Sequence, residues 1–308
     1  LIVKKKKKNF RNLITISVTV IFFVFIVGAV YIFPNQIRST FSVIKDVGIQ
    51  LASVILSHNF RSVAEIKSHY DNPQNKVRIL IVPGHEPNYS GAQFGVVKER
   101  DMAVELGQDL QKILENDSHY QVFITRDTQD WSPVFASYFK DDWNEIAEWT
   151  KASHDEFSRL VSIGSTTRTY STVTHNDAPK NVALRLYGLT KWSNENNIDI
   201  VIHIHFNDNR RPNVNKPGDY SGFSMYVPAK QYGNSTTTRV IADGIFKRLA
   251  KYNPVSDLPG ETDGIIDEPE LIAVGSNNTA DAASILIEYS YIYEPQFQDP
   301  QVRSMAIK

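Results

Sequence analysis

Four side chains in this sequence stand where apolar runs give out: His85 in IVPGHEPN, Glu99 in GVVKERD, His205 in IDIVIHIHFND and Glu288 in SILIEYSY. The first three are nitrogen and oxygen donors that could meet on one zinc ion. A catalytic zinc takes three such ligands and leaves one position for water, whose pKa it lowers to about 7. Glu288 is the spare carboxylate that such chemistry needs to move protons. The chain has no cysteine, so disulfides and thiolate sites are excluded and any metal must be held by His, Asp or Glu. The inventory is that of a metallohydrolase with one zinc ion.

The elements that must position these groups are visible as apolar runs of four to seven residues alternating with helical patterns. VRILIVP, QVFITRD, IDIVIHIHF, GFSMYVP and SILIEYSY read as strands; ERDMAVELGQDLQKILEN, PKNVALRLYGLTKWSNEN and TTTRVIADGIFKRLAKY have helical spacing with polar opposite faces. The alternation predicts an α/β fold: a single domain over residues 77–308, with a central, mostly parallel sheet flanked by helices. In such sheets ligands meet beyond the carboxyl ends of the strands, where these runs deliver His85, His205 and Glu288. His85 and Glu99 are separated by a turn-rich loop, PNYSGAQFG, between a strand end and a helix start. Residues 131–176, with Trp131, Trp143 and Trp149, are the least regular stretch. They read as an insertion over one rim of the sheet, either a substrate-facing loop or a helix pair.

Alternation places His203, His205 and Asn207 on one face of their strand. His203 reads as a buried histidine behind the site, and with Asn207 it would steady the ligands. Glu86 competes with Glu99 as the acidic ligand. Because consecutive residues leave a strand in opposite directions, Glu86 is expected to line the pocket or face solvent. A carboxylate such as Glu288 ending a buried strand is costly unless paired, metal-bound or catalytic. His58, His69, His119, His154 and His175 show no ligand spacing and read as surface or loop residues.

Before this domain the sequence changes character. LIVKKKKKNFRN (1–12) precedes 21 uncharged residues, Leu13 to Phe33, long enough as a helix to cross a bilayer. Lys4 to Lys8 and Arg11 predict a basic cytoplasmic tail and an uncleaved transmembrane signal anchor at 13–33, followed by a stalk at 34–76. The catalytic domain is then expected on the periplasmic or extracellular side of the cell membrane. Residues 1–45 hold eight Lys and Arg and no acid, which leaves 25 basic against 34 acidic side chains and a net charge of −9 beyond them. That balance argues against a nucleic-acid partner.

The order PGH, a glutamate opening an amphipathic helix, ITRD with Arg126, a strand ending in I-H-x-N, and an apolar strand ending in Glu resembles the N-acetylmuramoyl-L-alanine amidase family, specifically its zinc-dependent type 3 catalytic domain. The resemblance spans roughly Val77 to Lys308. It implies a cell-wall hydrolase that cuts peptidoglycan between the lactyl group of N-acetylmuramic acid and L-alanine, with His85, Glu99 and His205 holding zinc and Glu288 catalytic. Arg185 matches the family's helix arginine. Asn278, with Asn277 and Thr279, is a candidate glycan or peptide contact from side-chain type. Val82, Glu86 and Pro87 depart from the usual D-P-G-H-G-G, and His203 stands for a common serine. The chain starts without Met and stops at RSMAIK, so both ends read as truncated. The rival readings are a zinc peptidase acting on stem peptides, for which the usual H-x-x-E fails at Asn88, and a membrane-anchored wall-binding protein without turnover. No residue names an activating protein partner.

Overall fold

Strands without charged interruptions must be covered on both faces, and a computed structural model shows how this chain does it. The structure describes residues 58–175, 178–209 and 211–307. Among these residues eight strands are formed: β1 (Val77–Pro83), β2 (Gln93–Phe94), β3 (Val97–Lys98), β4 (Tyr120–Ile124), β5 (Ile200–Asn207), β6 (Ser224–Pro228), β7 (Ile265–Glu268) and β8 (Ala283–Tyr291). Seven α-helices accompany them: α1 (Val63–Asp71), α2 (Glu99–Glu115), α3 (Pro133–Asp141), α4 (Trp143–Ser162), α5 (Lys180–Glu195), α6 (Ser235–Leu249) and α7 (Pro300–Ile307). Six strands form one sheet in the order β4-β1-β5-β8-β6-β7, and β2 and β3 form a small hairpin.

Neighbours β4, β1, β5 and β8 run parallel, β6 is antiparallel to β8, and β7 is parallel to β6. The expected mostly parallel sheet is therefore present. Period-two alternation sorts its residues. Ile79, Ile81, Ile202, Ile204, Ile285 and Ile287 face α1, α2 and α6 through Ile66, Leu106, Leu110, Ile241 and Ile245. Leu80, Val82 and Val201 face α3, α4 and α5 through Phe135, Phe139, Ile146, Leu189 and Trp192. The irregular stretch 131–176 thus contains a helix pair that packs against α5 and covers one face of the sheet.

The expected stalk boundary at residue 76 moves back. Ser62 caps α1 in a capping box with Glu65, and α1 packs on β1. Arg61 reaches Asn197 at 2.9 Å and lies 3.4 Å from the fully buried Asp199, so residues 58–76 belong to the domain. The expected anchor at 13–33 and the stalk before residue 58 lie outside the described residues. Among those that are described, no helix is long and apolar enough to cross a membrane.

Candidate metal and catalytic site

The site lies at the carboxyl ends of β1, β5 and β8. β1 ends at Pro83, and the chain turns at Gly84 and His85, whose φ of 65° is in the left-handed region that non-glycine residues seldom occupy. The turn is held from below by Arg126, which is 1% exposed. Its guanidinium donates to the carbonyls of His85 (2.9 Å), Arg100 (3.0 Å), Asp127 (3.0 Å) and Gly84. Burial lowers its pKa to about 10, which leaves it a cation at neutral pH. The arginine of ITRD is therefore the support of the turn that carries His85, a role its sequence position does not disclose.

Glu99 is the first residue of α2, where a carboxylate also meets the positive end of the helix dipole. It is buried, and its two oxygens are divided between the histidines. His85 Nε2 lies 2.6 Å from Oε2 and His205 Nδ1 lies 2.9 Å from Oε1. The Ala92 and Phe206 amides donate to the same oxygens at 2.8 and 3.2 Å. Burial pushes the carboxyl up, but the hydrogen bonds from His205 and His85 outweigh it and hold Glu99 below the ordinary range. Burial lowers His205 as well, which favours the neutral imidazole that a metal requires.

One donor atom from each of His85, Glu99 and His205 lies within 4.8 Å of the others. Space is reserved around them. A Cβ on Gly84 would sit 2.6 Å from the His205 ring, and one on Gly91 would overlap His85 and lie 2.5 Å from Glu99. Two imidazoles, one ionised carboxylate and glycines where no side chain fits make a donor set that suits zinc.

Glu288 is in register with His205 across the β5–β8 pairing and with Ser224 across β8–β6. Its Oε2 is buried and takes no hydrogen bond among the described residues. Burial, with the charges of Glu99 and Glu261, pushes this carboxyl well above its ordinary range. Glu288 is thus brought to the triad as expected, although β8 continues past it to Tyr291.

The remaining expected residues divide. His203 is 4% exposed behind His205, and burial lowers its pKa to about 3, so it is a neutral histidine. Glu86 neither binds the metal set nor faces solvent: it is buried in a two-point ion pair with Arg185 on α5, at 2.5 and 2.7 Å. The Arg185 guanidinium lies 5.7 Å over the Trp143 ring, which ties the turn after His85 to the start of α4. Asn207 does not touch the ligands; it donates to Glu261. Asn278 is not at the site. It precedes β8, and five strand residues, about 17 Å, separate the start of β8 from Glu288. Its Oδ1 accepts instead from the Gly233 amide at 2.8 Å. His175 also has a structural partner, Glu268, at 3.1 Å.

Glu261 carries no signal in the sequence. It sits between Gly260 and Gly264 with no apolar run to mark it, yet it is 1% exposed and receives hydrogen bonds from Asn207, Tyr226 and Tyr291.

The family model described as N-acetylmuramoyl-L-alanine amidase matches residues 79–299. No curated protein matches the chain. Among solved structures, the chain is similar to the N-acetylmuramoyl-L-alanine amidase from Clostridium difficile 630 at 14% identity, over 76% of this chain and 91% of that one, with a TM-score of 0.46. It is similar to the CwlD amidase from Clostridioides difficile, solved in complex with the GerS lipoprotein, at 15% identity, over 76% and 93%, with a TM-score of 0.47. The apo amidase Ami1 from Mycobacterium abscessus matches at 14% identity, over 75% and 92%, with a TM-score of 0.47. With more than two thirds of its residues matched by one family model that includes all four site residues, the chain belongs to the N-acetylmuramoyl-L-alanine amidase family.

Proposed function

We propose that this amidase is zinc-dependent and hydrolyses the amide bond between N-acetylmuramic acid and L-alanine in peptidoglycan, with His85, Glu99 and His205 as the metal ligands and Glu288 as the catalytic residue. The observation that carries the reading is the placement of Glu288. A buried carboxylate with an unpartnered oxygen stands in register with a ligand histidine. Zinc held there would polarise the lactyl carbonyl and make water acidic enough to attack it at neutral pH. Glu288 accepts the proton of the attacking water as the new C–O bond forms. It then delivers that proton to the alanine nitrogen as the C–N bond breaks, which releases a neutral amine and regenerates the carboxylate. A carboxyl pushed up by burial and by two neighbouring acids is suited to hold a proton between these events. Arg126 and the Glu86–Arg185 pair keep the His85 turn fixed while this happens.

The same reading puts the domain outside the cytoplasm, tethered by the uncharged segment 13–33 with its basic tail inside. It is supported by the charge pattern at 1–45 and by the location of the wall. Protease treatment of intact spheroplasts should digest the domain and spare the tail; protection of the domain would overturn that placement.

The decisive assay incubates the purified protein with peptidoglycan, with and without a chelator, and identifies products by mass spectrometry. Stem peptides with a free L-alanine amino terminus, lost on chelation, are expected. Chelator-sensitive cuts within the stem peptide would instead indicate a peptidase. Binding to the wall without any product would indicate a protein that has lost turnover or that needs an activating partner.

A further inference from the structure

A nearly fully buried carboxylate at the rim of a reaction site is expensive unless its acceptors are satisfied. Glu261 is satisfied by three side chains. Asn207 Nδ2 donates to Oε1 at 3.0 Å and to Oε2 at 3.3 Å, Tyr226 donates to Oε1 at 2.6 Å, and Tyr291 donates to Oε2 at 3.4 Å. The loop that delivers it is closed by Glu261 N–H to Leu258 O and by Gly264 N–H to Glu261 O, with Gly260 at φ 96° and Gly264 at φ 71°. Tyr226 is packed in turn against the His175 ring, with centroids 5.0 Å apart. The carboxylate is therefore fixed from several sides before it meets Asn207.

This arrangement determines which way the Asn207 amide points. A carboxylate can only accept, so the amide nitrogen must face it; the reversed amide would set acceptor against acceptor at about 3 Å. The amide oxygen is then the group left over, and among the described residues it accepts no hydrogen bond. Asn207 is half-buried and lies two positions after His205 on β5, past a shift in the β5–β8 register that pairs His205 with Glu288 and Asn207 with Tyr291.

We infer that Asn207 is a substrate-recognition residue that offers its amide oxygen to an amide N–H of the glycopeptide beside the scissile bond, and that Glu261 is the positioning residue that holds it in that orientation. The inference rests on the amidase reading above. Glycopeptide amides, whether in the acetamido group or the stem peptide, are rich in N–H donors, so an acceptor at this place selects for them.

The test is a donor–acceptor swap in the full-length protein, with kinetics on a soluble muramyl-peptide fragment, fragment binding by calorimetry, metal content and melting temperature for each variant. Asn207→Ala and Glu261→Gln are expected to raise KM, and to weaken fragment binding, by about tenfold, the value of one lost hydrogen bond, and KM should rise by more than kcat falls. Asn207→Asp sets two carboxylates together and should be impaired as much or more. Adding Glu261→Gln to Asn207→Asp restores the pair with its polarity reversed and still leaves an acceptor toward the substrate, so the double variant should recover KM and binding to within about threefold of wild type. A double variant whose melting temperature recovers while its fragment binding stays at the level of Asn207→Asp would overturn the inference, as would unchanged KM and binding in Glu261→Gln. A wild-type protein that binds the fragment without cutting it would count against the amidase reading alone, because binding across the four variants still decides the role of Asn207.

Discussion

Replacing Gly84 by alanine adds a single methyl group, yet it should remove most of the metal affinity. The added Cβ would lie 2.6, 2.7 and 2.8 Å from Cε1, Nδ1 and Nε2 of His205, whereas Cβ contacts under 3.0 Å essentially do not occur and ordinary contact begins at 3.4 Å. The imidazole must retreat by about 0.8 Å to reach ordinary contact, several times the roughly 0.2 Å by which metal–ligand distances vary. Gly84 cannot retreat instead: its amide donates to Ile204 O at 2.7 Å and its carbonyl is clamped by Arg126. Losing one well-placed ligand should weaken zinc binding by about a hundredfold, or about 2.7 kcal/mol. The metal-free protein should lose only the overpacking cost of about 1–3 kcal/mol. A chromophoric chelator competing for zinc measures the first quantity, and urea unfolding of chelated protein measures the second. Gly244→Ala is the control, because a Cβ there meets nothing within 4 Å on the exposed side of α6; it should stabilise by about 0.5–1 kcal/mol without changing zinc affinity. If Gly84→Ala bound zinc as tightly as wild type, the assignment of His205 as a ligand would fail.

Glu288→Gln should lower turnover by about 10²- to 10⁴-fold while zinc content stays near one per chain, measured by product release and metal analysis; a fully active variant would refute its catalytic role. Arg126→Met removes the donors to the Gly84 and His85 carbonyls of the turn and to the Arg100 and Asp127 carbonyls beside it, and should destabilise by about 2–4 kcal/mol in denaturant titration, with a matching loss of zinc affinity. At Glu268, burial pushes the carboxyl up, but hydrogen bonds from His175, Ser171 and the Glu270 amide outweigh it and hold it below its ordinary 4.5. Because the folded value lies below the unfolded one, its contribution is complete above about pH 4.5 and is lost as pH falls through the folded value. The stability gap between wild type and Glu268→Gln should therefore be full at pH 7 and shrink as pH is lowered below 4.5, and a gap that ignores pH would contradict this account.

How far the amino-acid sequence discloses the site follows from what each residue costs. His205 and Glu288 interrupt apolar runs, where a polar group has to be justified by chemistry, while His85 follows the end of an apolar strand and Glu99 opens an amphipathic helix, so the sequence points to all four. The strands β1, β4, β5, β6 and β8 and the helices α2, α5 and α6 are legible for the same reason, through the period of their burial. Local polar signals mislead. Side-chain type suggests Asn278 as a contact, but type does not say which end of a strand a residue occupies, and it stands before β8 with its amide bound to Gly233. Glu261 is invisible because its value comes from Asn207, 54 residues away, and from two tyrosines on other strands. The four-residue β7 is too short to show alternation. α4 reads as irregular because its buried side consists of Ile146, Ser153 and Phe157 among tryptophans and charges, a spacing of seven and then four residues that is helical once the aromatics are set aside. The capping box of Ser62 and Glu65 is also present in the sequence, and it marks α1 as a helix of the domain rather than the end of a stalk. Sites built from groups that break a pattern declare themselves, whereas the groups that orient them, Arg126 through backbone carbonyls and Glu261 through an amide, break no pattern and become visible only when the partners are brought together.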